Sequence, residues 1–254
     1  MSRQKGGAII ALLVTMAFAC NYGAAQAPGS SSAPPAFEDR HTDNKRENNP
    51  GARGEAPGDT FFQSMPQAKD AAEKQILDVL AKMAASGRRM QSVPMDDGRF
   101  LRVLAESTNA QHIVEIGTSQ GFSALWFCLA LRKTGGKLTT FEINSERADL
   151  ANANFERAGV SDIATVVLGN AHEEVTKLEA PIDILFLDAD KRGYLDYLNK
   201  LLPQIRPGGL IVAHNITPAL ADPAFVAAIT ENPELESLLV NLEAGGISIT
   251  LKKR

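Results

Sequence analysis

From His112 onward, short continuous apolar runs alternate with longer amphipathic segments. The runs cover residues 112–116, 137–142, 164–168, 182–187 and 210–213. Between them, 123–132, 145–158, 171–178 and 194–202 carry apolar residues at helical spacing. A strand that is apolar on both sides must be covered on both faces, so the pattern calls for helices packed against each side of a parallel sheet. It predicts an α/β fold built on a doubly wound, mostly parallel sheet. Two N-terminal helices are expected ahead of the sheet, over 69–89 and 98–107. A helix over 222–230 and two closing strands, 238–241 and 247–252, joined through Gly245-Gly246, complete the expected order.

The first 59 residues are of another kind. Arg3 and Lys5 precede an uncharged, mostly apolar run from Gly6 to Ala19. That run is shorter than the roughly 20 residues needed to cross a bilayer. A charged start, a short apolar run and small residues after it predict an export signal over 1–25. Two processing routes stay open. Ala17-Phe18-Ala19-Cys20 resembles a lipoprotein cleavage box, which would anchor Cys20 in a membrane, whereas Gly23-Ala24-Ala25 suits ordinary cleavage before Gln26. Residues 26–59 are rich in Pro, Gly, Ser, Ala, Asn and charge, and are expected to form a disordered linker to a domain over 60–254. The expected location is exported, periplasmic or membrane-anchored; a misassigned start would make the domain cytoplasmic instead.

Charge narrows the partners. A net charge of −4 argues against a general nucleic-acid binder. Two cysteines, Cys20 and Cys128, are too few for a disulfide framework or a cysteine-based zinc site.

In an open parallel sheet, ligands sit beyond the carboxyl ends of the strands. Here those ends are polar, acidic and small. Glu115-Ile116-Gly117-Thr118-Ser119-Gln120-Gly121 follows the first strand and opens a helix. Its glycines permit close backbone approach to a ligand, or simply a structural turn. It is not the dinucleotide pattern, because Ser119 stands where the second glycine would be, which disfavours a nicotinamide oxidoreductase. Glu142 ends the second strand, where an acid can accept both ribose hydroxyls or merely start a solvated helix. Gly169-Asn170-Ala171 ends the third and leaves room for an adenine ring, with His172 at its edge.

Five segments carry a resemblance. They are Val-Pro-Met-Asp-Asp-Gly-Arg-Phe-Leu at 93–101, Val-Glu-Ile-Gly-Thr-Ser-Gln-Gly-Phe-Ser-Ala at 114–124, and Phe-Glu-Ile at 141–143. Leu-Asp-Ala-Asp-Lys at 187–191 and Pro-Gly-Gly-Leu-Ile-Val-Ala-His-Asn at 207–215 complete them. Together, from about Met90 to Lys252, the chain resembles the catechol and caffeoyl-coenzyme A O-methyltransferases, which use S-adenosylmethionine. The resemblance implies a seven-stranded Rossmann-like methyltransferase fold with an antiparallel last strand. It implies that Glu115, Gly117, Ser119, Gly121 and Ser123 line the donor's methionine part, and that Val93 and Asp188 also bind the donor. Glu142 would hold the ribose, and Ala171 with His172 would flank the adenine.

The resemblance also implies a divalent cation, magnesium or manganese, holding the acceptor's oxygens. Asp188 and Asn215 match its ligands, and Lys191 matches the general base. His214 departs from the family, which has aspartate there. Three outcomes are open: the imidazole binds the metal, the metal rests on Asp188 and Asn215 alone, or the metal is lost and His214 becomes a base or hydrogen-bonding group. The implied activity is O-methylation of a small hydroxylated, catechol-like aromatic, with cation assistance. A metal-independent transferase and an exported cofactor-binding module without catalysis are the alternatives. A homodimer is the oligomer that the resemblance implies.

Overall fold

A computed structural model of the chain describes residues 65–86, 93–217, 219–242 and 245–254. The signal and linker expected over 1–59 lie outside these residues, as does Pro218 of the loop after Asn215.

Seven strands form one sheet: β1 His112–Ile116, β2 Lys137–Glu142, β3 Ala164–Leu168, β4 Ile182–Leu187, β5 Ile205–His214, β6 Leu235–Val240 and β7 Ile247–Lys252. Their order is β3-β2-β1-β4-β5-β7-β6. The first five are parallel, and β7 runs antiparallel between β5 and β6. The chain order reverses between β1 and β4, which opens a crevice at their carboxyl ends.

Side chains alternate across the sheet and feed two cores. On β1, Ile113 joins one core, while Val114 and Ile116 join the other. On β4, Ile184 and Phe186 face the first core, and Leu185 and Leu187 the second. The first core is filled by α1 (Ala71–Ala85), α2 (Met95–Ser107), α3 (Phe122–Thr134) and α4 (Ser145–Ala158). The helix α3 is buried on every side from Phe122 to Leu131. A helix apolar all round belongs between layers, and α3 lies between the sheet and α2. Contact there is close because Gly98 has no side chain: a Cβ at Gly98 would sit 2.3 Å from the Trp126 indole. The second core is covered by α5 (Ala171–Glu174), α6 (Tyr194–Leu201) and α7 (Pro223–Thr230). Helix starts are capped as sequence chemistry dictates. Asp70, Asn144, Asn170 and Asp222 each accept a backbone N–H with the side chain.

Several boundaries differ from expectation; the helix expected over 98–107 begins at Met95. The strand expected at 210–213 begins at Ile205 and runs through Pro207-Gly208-Gly209, with a register shift against β4 between Ile182 and Ile184. Gly208, at φ 81°, lets the strand bend there and resume pairing. The helix expected over 171–178 is one α-turn followed by a 3-10 turn, Val175–Lys177. The strand expected at 238–241 is Leu235–Val240, paired along its length with β7.

Candidate functional site

The carboxyl ends of β1 to β5 surround a cavity of about 870 Å³. Of the residues singled out in the sequence, Gly117, Ser119, Glu142, Ala171 and His172 line one part of it. Asp188, Lys191, His214 and Asn215 line the other.

The first wall is backbone. Gly117 (φ 104°) and Ser119 (φ 49°) both adopt left-handed conformations. At Gly117 the requirement is absolute, because a Cβ would lie 2.4 Å from the carbonyl oxygen of Asp188. The loop is pinned to the second strand: Gly117 N and Thr118 N both donate to Phe141 O, at 3.0 and 3.1 Å. Glu142 accepts from Ser119 N at 2.8 Å and from Asn144 N at 3.0 Å, one amide per carboxylate oxygen. The carboxylate is thereby aimed, and each oxygen keeps further acceptor capacity.

Beyond β3, Asn170 caps the turn that carries Ala171 and His172, accepting from His172 N at 3.1 Å. The His172 ring stacks on Tyr197, with centroids 4.3 Å apart and planes inclined by 18°. Its Nδ1 lies 2.6 Å from Asp196, and Lys200 donates to its carbonyl at 2.8 Å. The ring is therefore a fixed, flat wall. Tyr197, which the sequence reading passed over, lines the cavity too and donates to Asp190 at 2.8 Å.

At the far end, Lys191 donates to Asp188 at 3.1 Å and to the Tyr194 hydroxyl at 2.7 Å. Tyr194 passes its own proton to the carbonyl of Leu187 at 2.8 Å. Burial, with Asp188 and Asp190 close by, pushes the Tyr194 phenol well above its ordinary value, so it stays a donor. His214 bridges two carboxylates: Nδ1 is 3.2 Å from Asp188, and Nε2 is 2.9 Å from Asp97. Burial disfavours a charged ring, but the hydrogen bonds and charges of Asp188 and Asp97 prevail and raise its pKa to about 9. Burial likewise opposes ionisation of Asp188, and His214 and Lys191 nonetheless hold its carboxyl below the usual range.

Four expected donor-site residues stand behind the cavity instead of lining it. Glu115 lies on the α3 side of β1, fully buried, and accepts from Ser123 Oγ at 2.5 Å and Thr140 Oγ1 at 2.6 Å. Strand alternation turns it away from the second face. Ser123 is consumed by that bond. Gly121 starts α3 at φ 83° and packs against Phe155, and Val93 is buried in the first core. These residues brace the wall.

Asp97 is the residue that sequence reasoning missed. It sits in the first turn of α2, 1% exposed, far in sequence from every strand end. Its segment, 93–101, carried the resemblance, but no pattern within it pointed at residue 214. The expected cation ligands Asp188, His214 and Asn215 all line the cavity. Among the described residues, no group of three or more His, Cys, Asp or Glu side chains is arranged to hold a metal ion.

Comparison with known proteins agrees with this architecture. A profile of the family described as O-methyltransferase matches residues 67–231. A catechol O-methyltransferase of Niastella koreensis is 36% identical over 145 residues, covering 56% of this chain and 65% of that relative. A catechol O-methyltransferase of Mycobacterium tuberculosis is 36% identical over 128 residues, covering 49% and 57%. The chain thus spans less than two thirds of either relative's length. An O-methyltransferase from Bacillus cereus, solved in complex with SAH, is similar at a TM-score of 0.64 and 28% identity, covering 77% of this chain and 96% of that one. Because that profile spans more than half of the chain, the chain belongs to the O-methyltransferase family.

Proposed function

We propose that this chain is an S-adenosylmethionine-dependent O-methyltransferase acting on a small hydroxylated aromatic of the catechol type. One observation carries the reading: Glu142 and Lys191 open onto the same cavity from opposite parts of it. The Bacillus cereus structure with SAH supports the donor, and the two relatives named catechol O-methyltransferase support the acceptor class.

The residues present fit such a donor. Glu142, held by two amides, retains lone pairs for a pair of ribose hydroxyls. Ala171 is small, and the stacked His172 ring offers a flat edge for a base. Gly117 brings bare backbone against the centre of the site. When bound, the donor supplies a methyl group on a positively charged sulfur.

Lys191 stands where an acceptor hydroxyl would give up its proton. In its neutral form the amine takes that proton. The acceptor oxygen then forms its bond to the methyl carbon as the carbon–sulfur bond breaks, and the sulfur keeps the electron pair. The yield is one methyl ether, one demethylated donor and one proton on Lys191. Positioning dominates such an in-line transfer, and Asp188 and Tyr194 fix the amine from two sides.

The divalent cation that the resemblance implies does not fit the side chains here. Both ring nitrogens of His214 face carboxylates, and the Asp188 oxygen nearest them also accepts from Lys191.

Calorimetry with S-adenosylhomocysteine tests the donor half. Binding that Glu142→Ala weakens is expected; an absence of heat with the wild-type chain would remove every methyltransferase reading. Methyl transfer to a panel of catechols tests the acceptor half, with Lys191→Ala as the inactive control.

A further inference from the structure

We propose that the Asp97–His214 pair takes the place of the divalent cation, with Asp97 as the positioning residue, so that methyl transfer in this chain proceeds without a bound metal. This rests on the methyltransferase reading of the same cavity.

The imidazole of His214 lies between carboxylates from two distant elements, Asp97 in the first turn of α2 and Asp188 at the end of β4. Nδ1 and Nε2 each lie within hydrogen-bond distance of a carboxylate oxygen, so both ring nitrogens are already engaged where a metal would need one of them. The Asp188 oxygen that meets the ring is also shared with Lys191, so it already faces two donors. The side chains of Asp97 and His214 are 2% and 7% exposed, so solvent does not compete for the pair.

Among the described residues, the Asp97 side chain hydrogen-bonds only to His214. Its Oδ2 meets the ring, and its Oδ1 is buried with no hydrogen-bond partner among the described residues. A buried carboxylate left half satisfied is costly unless a nearby charge matches it. The ring supplies that match and is itself held in one orientation. Asp97 rides on a helix packed against α3, not on a strand-end loop, so the anchor belongs to the core. The ring, engaged at both nitrogens, thus fills the space between Asp97 and Asp188 and aligns Asp188 for Lys191. Alignment of that carboxylate is a task that a bound cation would perform.

The test reads metal binding directly. The full chain is titrated with Mn²⁺ and followed by electron paramagnetic resonance, with S-adenosylhomocysteine and catechol present. The wild type is expected to leave Mn²⁺ free and to keep its transfer rate in excess chelator. His214→Asp should gain about 10–100-fold in Mn²⁺ affinity, the scale on which ligand surroundings tune a site. Its transfer should become chelator-sensitive. Nitrogen-resolved NMR adds a signature of the pair: two slowly exchanging ring N–H protons in the wild type, and loss of the Nε2 proton signal in Asp97→Ala. Tight Mn²⁺ binding by the wild type, or chelator inactivation restored by Mg²⁺ or Mn²⁺, would overturn the proposal. If His214→Asp does not fold, the wild-type titration and the NMR signals still decide. Failure of the methyltransferase reading would show separately, as absent S-adenosylhomocysteine binding with the Mn²⁺ result unchanged.

Discussion

Glu115 is surrounded by hydroxyls where an acid would ordinarily seek a cation. Burial pushes its carboxyl up to about 7, against the pull of Ser123 and Thr140, and Asp188 and Glu142 add to the rise. Between pH 4.5 and 7 the native chain therefore holds a proton that the unfolded chain has released. The group's contribution is fully present below the unfolded value and is lost as pH rises through 7, a loss of about 3 kcal/mol. Glu115→Gln should flatten that slope, measured as melting temperature from pH 5 to 8. An unchanged slope would assign the pH dependence to another group. Lys191 gives a second test. As a base it should be replaceable by neither Met nor Arg, because an arginine does not release its proton. Both variants should lose roughly 100-fold or more in kcat, the usual scale for a general base. Rescue by Arg would mean that a fixed charge, not proton transfer, is what Lys191 provides. The pairing of strand ends made Lys191, Asp188 and Glu142 legible in the sequence, since each follows an apolar run. Asp97 was illegible for the opposite reason: only the packing of α2 on α3 carries it to His214, and no local spacing encodes that approach.

The helices α2 and α3 are where packing sets the geometry of the site. Gly98 meets the face of Trp126, which is fully buried and has no room to retreat. Gly98→Ala adds helix propensity worth about 1 kcal/mol, but overpacking costs typically 1–3 kcal/mol and should prevail at so short a distance. A melting temperature lower by about 5 °C is expected. Because Asp97 neighbours Gly98, the same change should disturb the His214 ring signals; an unshifted ring would show that the helix adjusts without carrying Asp97 along. Strands with apolar faces on both sides were read from the sequence almost to the residue, as β1, β2, β3 and β4 show. One misjudged element, β5, passes through Pro207-Gly208-Gly209, a triplet that spells a turn locally. Its pairing with β4 on one side and β7 on the other outweighs that local preference.

Ligand binding should be felt by the molecule as a unit, because the cavity touches the ends of all five parallel strands. Saturating S-adenosylhomocysteine at about 100 times its dissociation constant should add about 2.7 kcal/mol to stability. For a domain of this size that is a rise of about 5–10 °C in melting temperature. A thermal shift assay checks it, and Glu142→Ala should reduce the rise, measured from its own ligand-free melting point, which falls because two amides lose their acceptor.

The antiparallel strand β7 has a temporal meaning as well as a spatial one. It fills the gap between β5 and β6, so neither of those edges is closed until residues 247–252 arrive. Synthesis runs from the N-terminus at about 5–20 residues per second, and His214 pairs with Ile247 across that late seam. The wall carrying Gly117, Glu142 and Ala171, set by β1 to β3, can be in place while the strand that backs His214 is still being made. The end of the cavity that His214 lines is thus completed later than that wall.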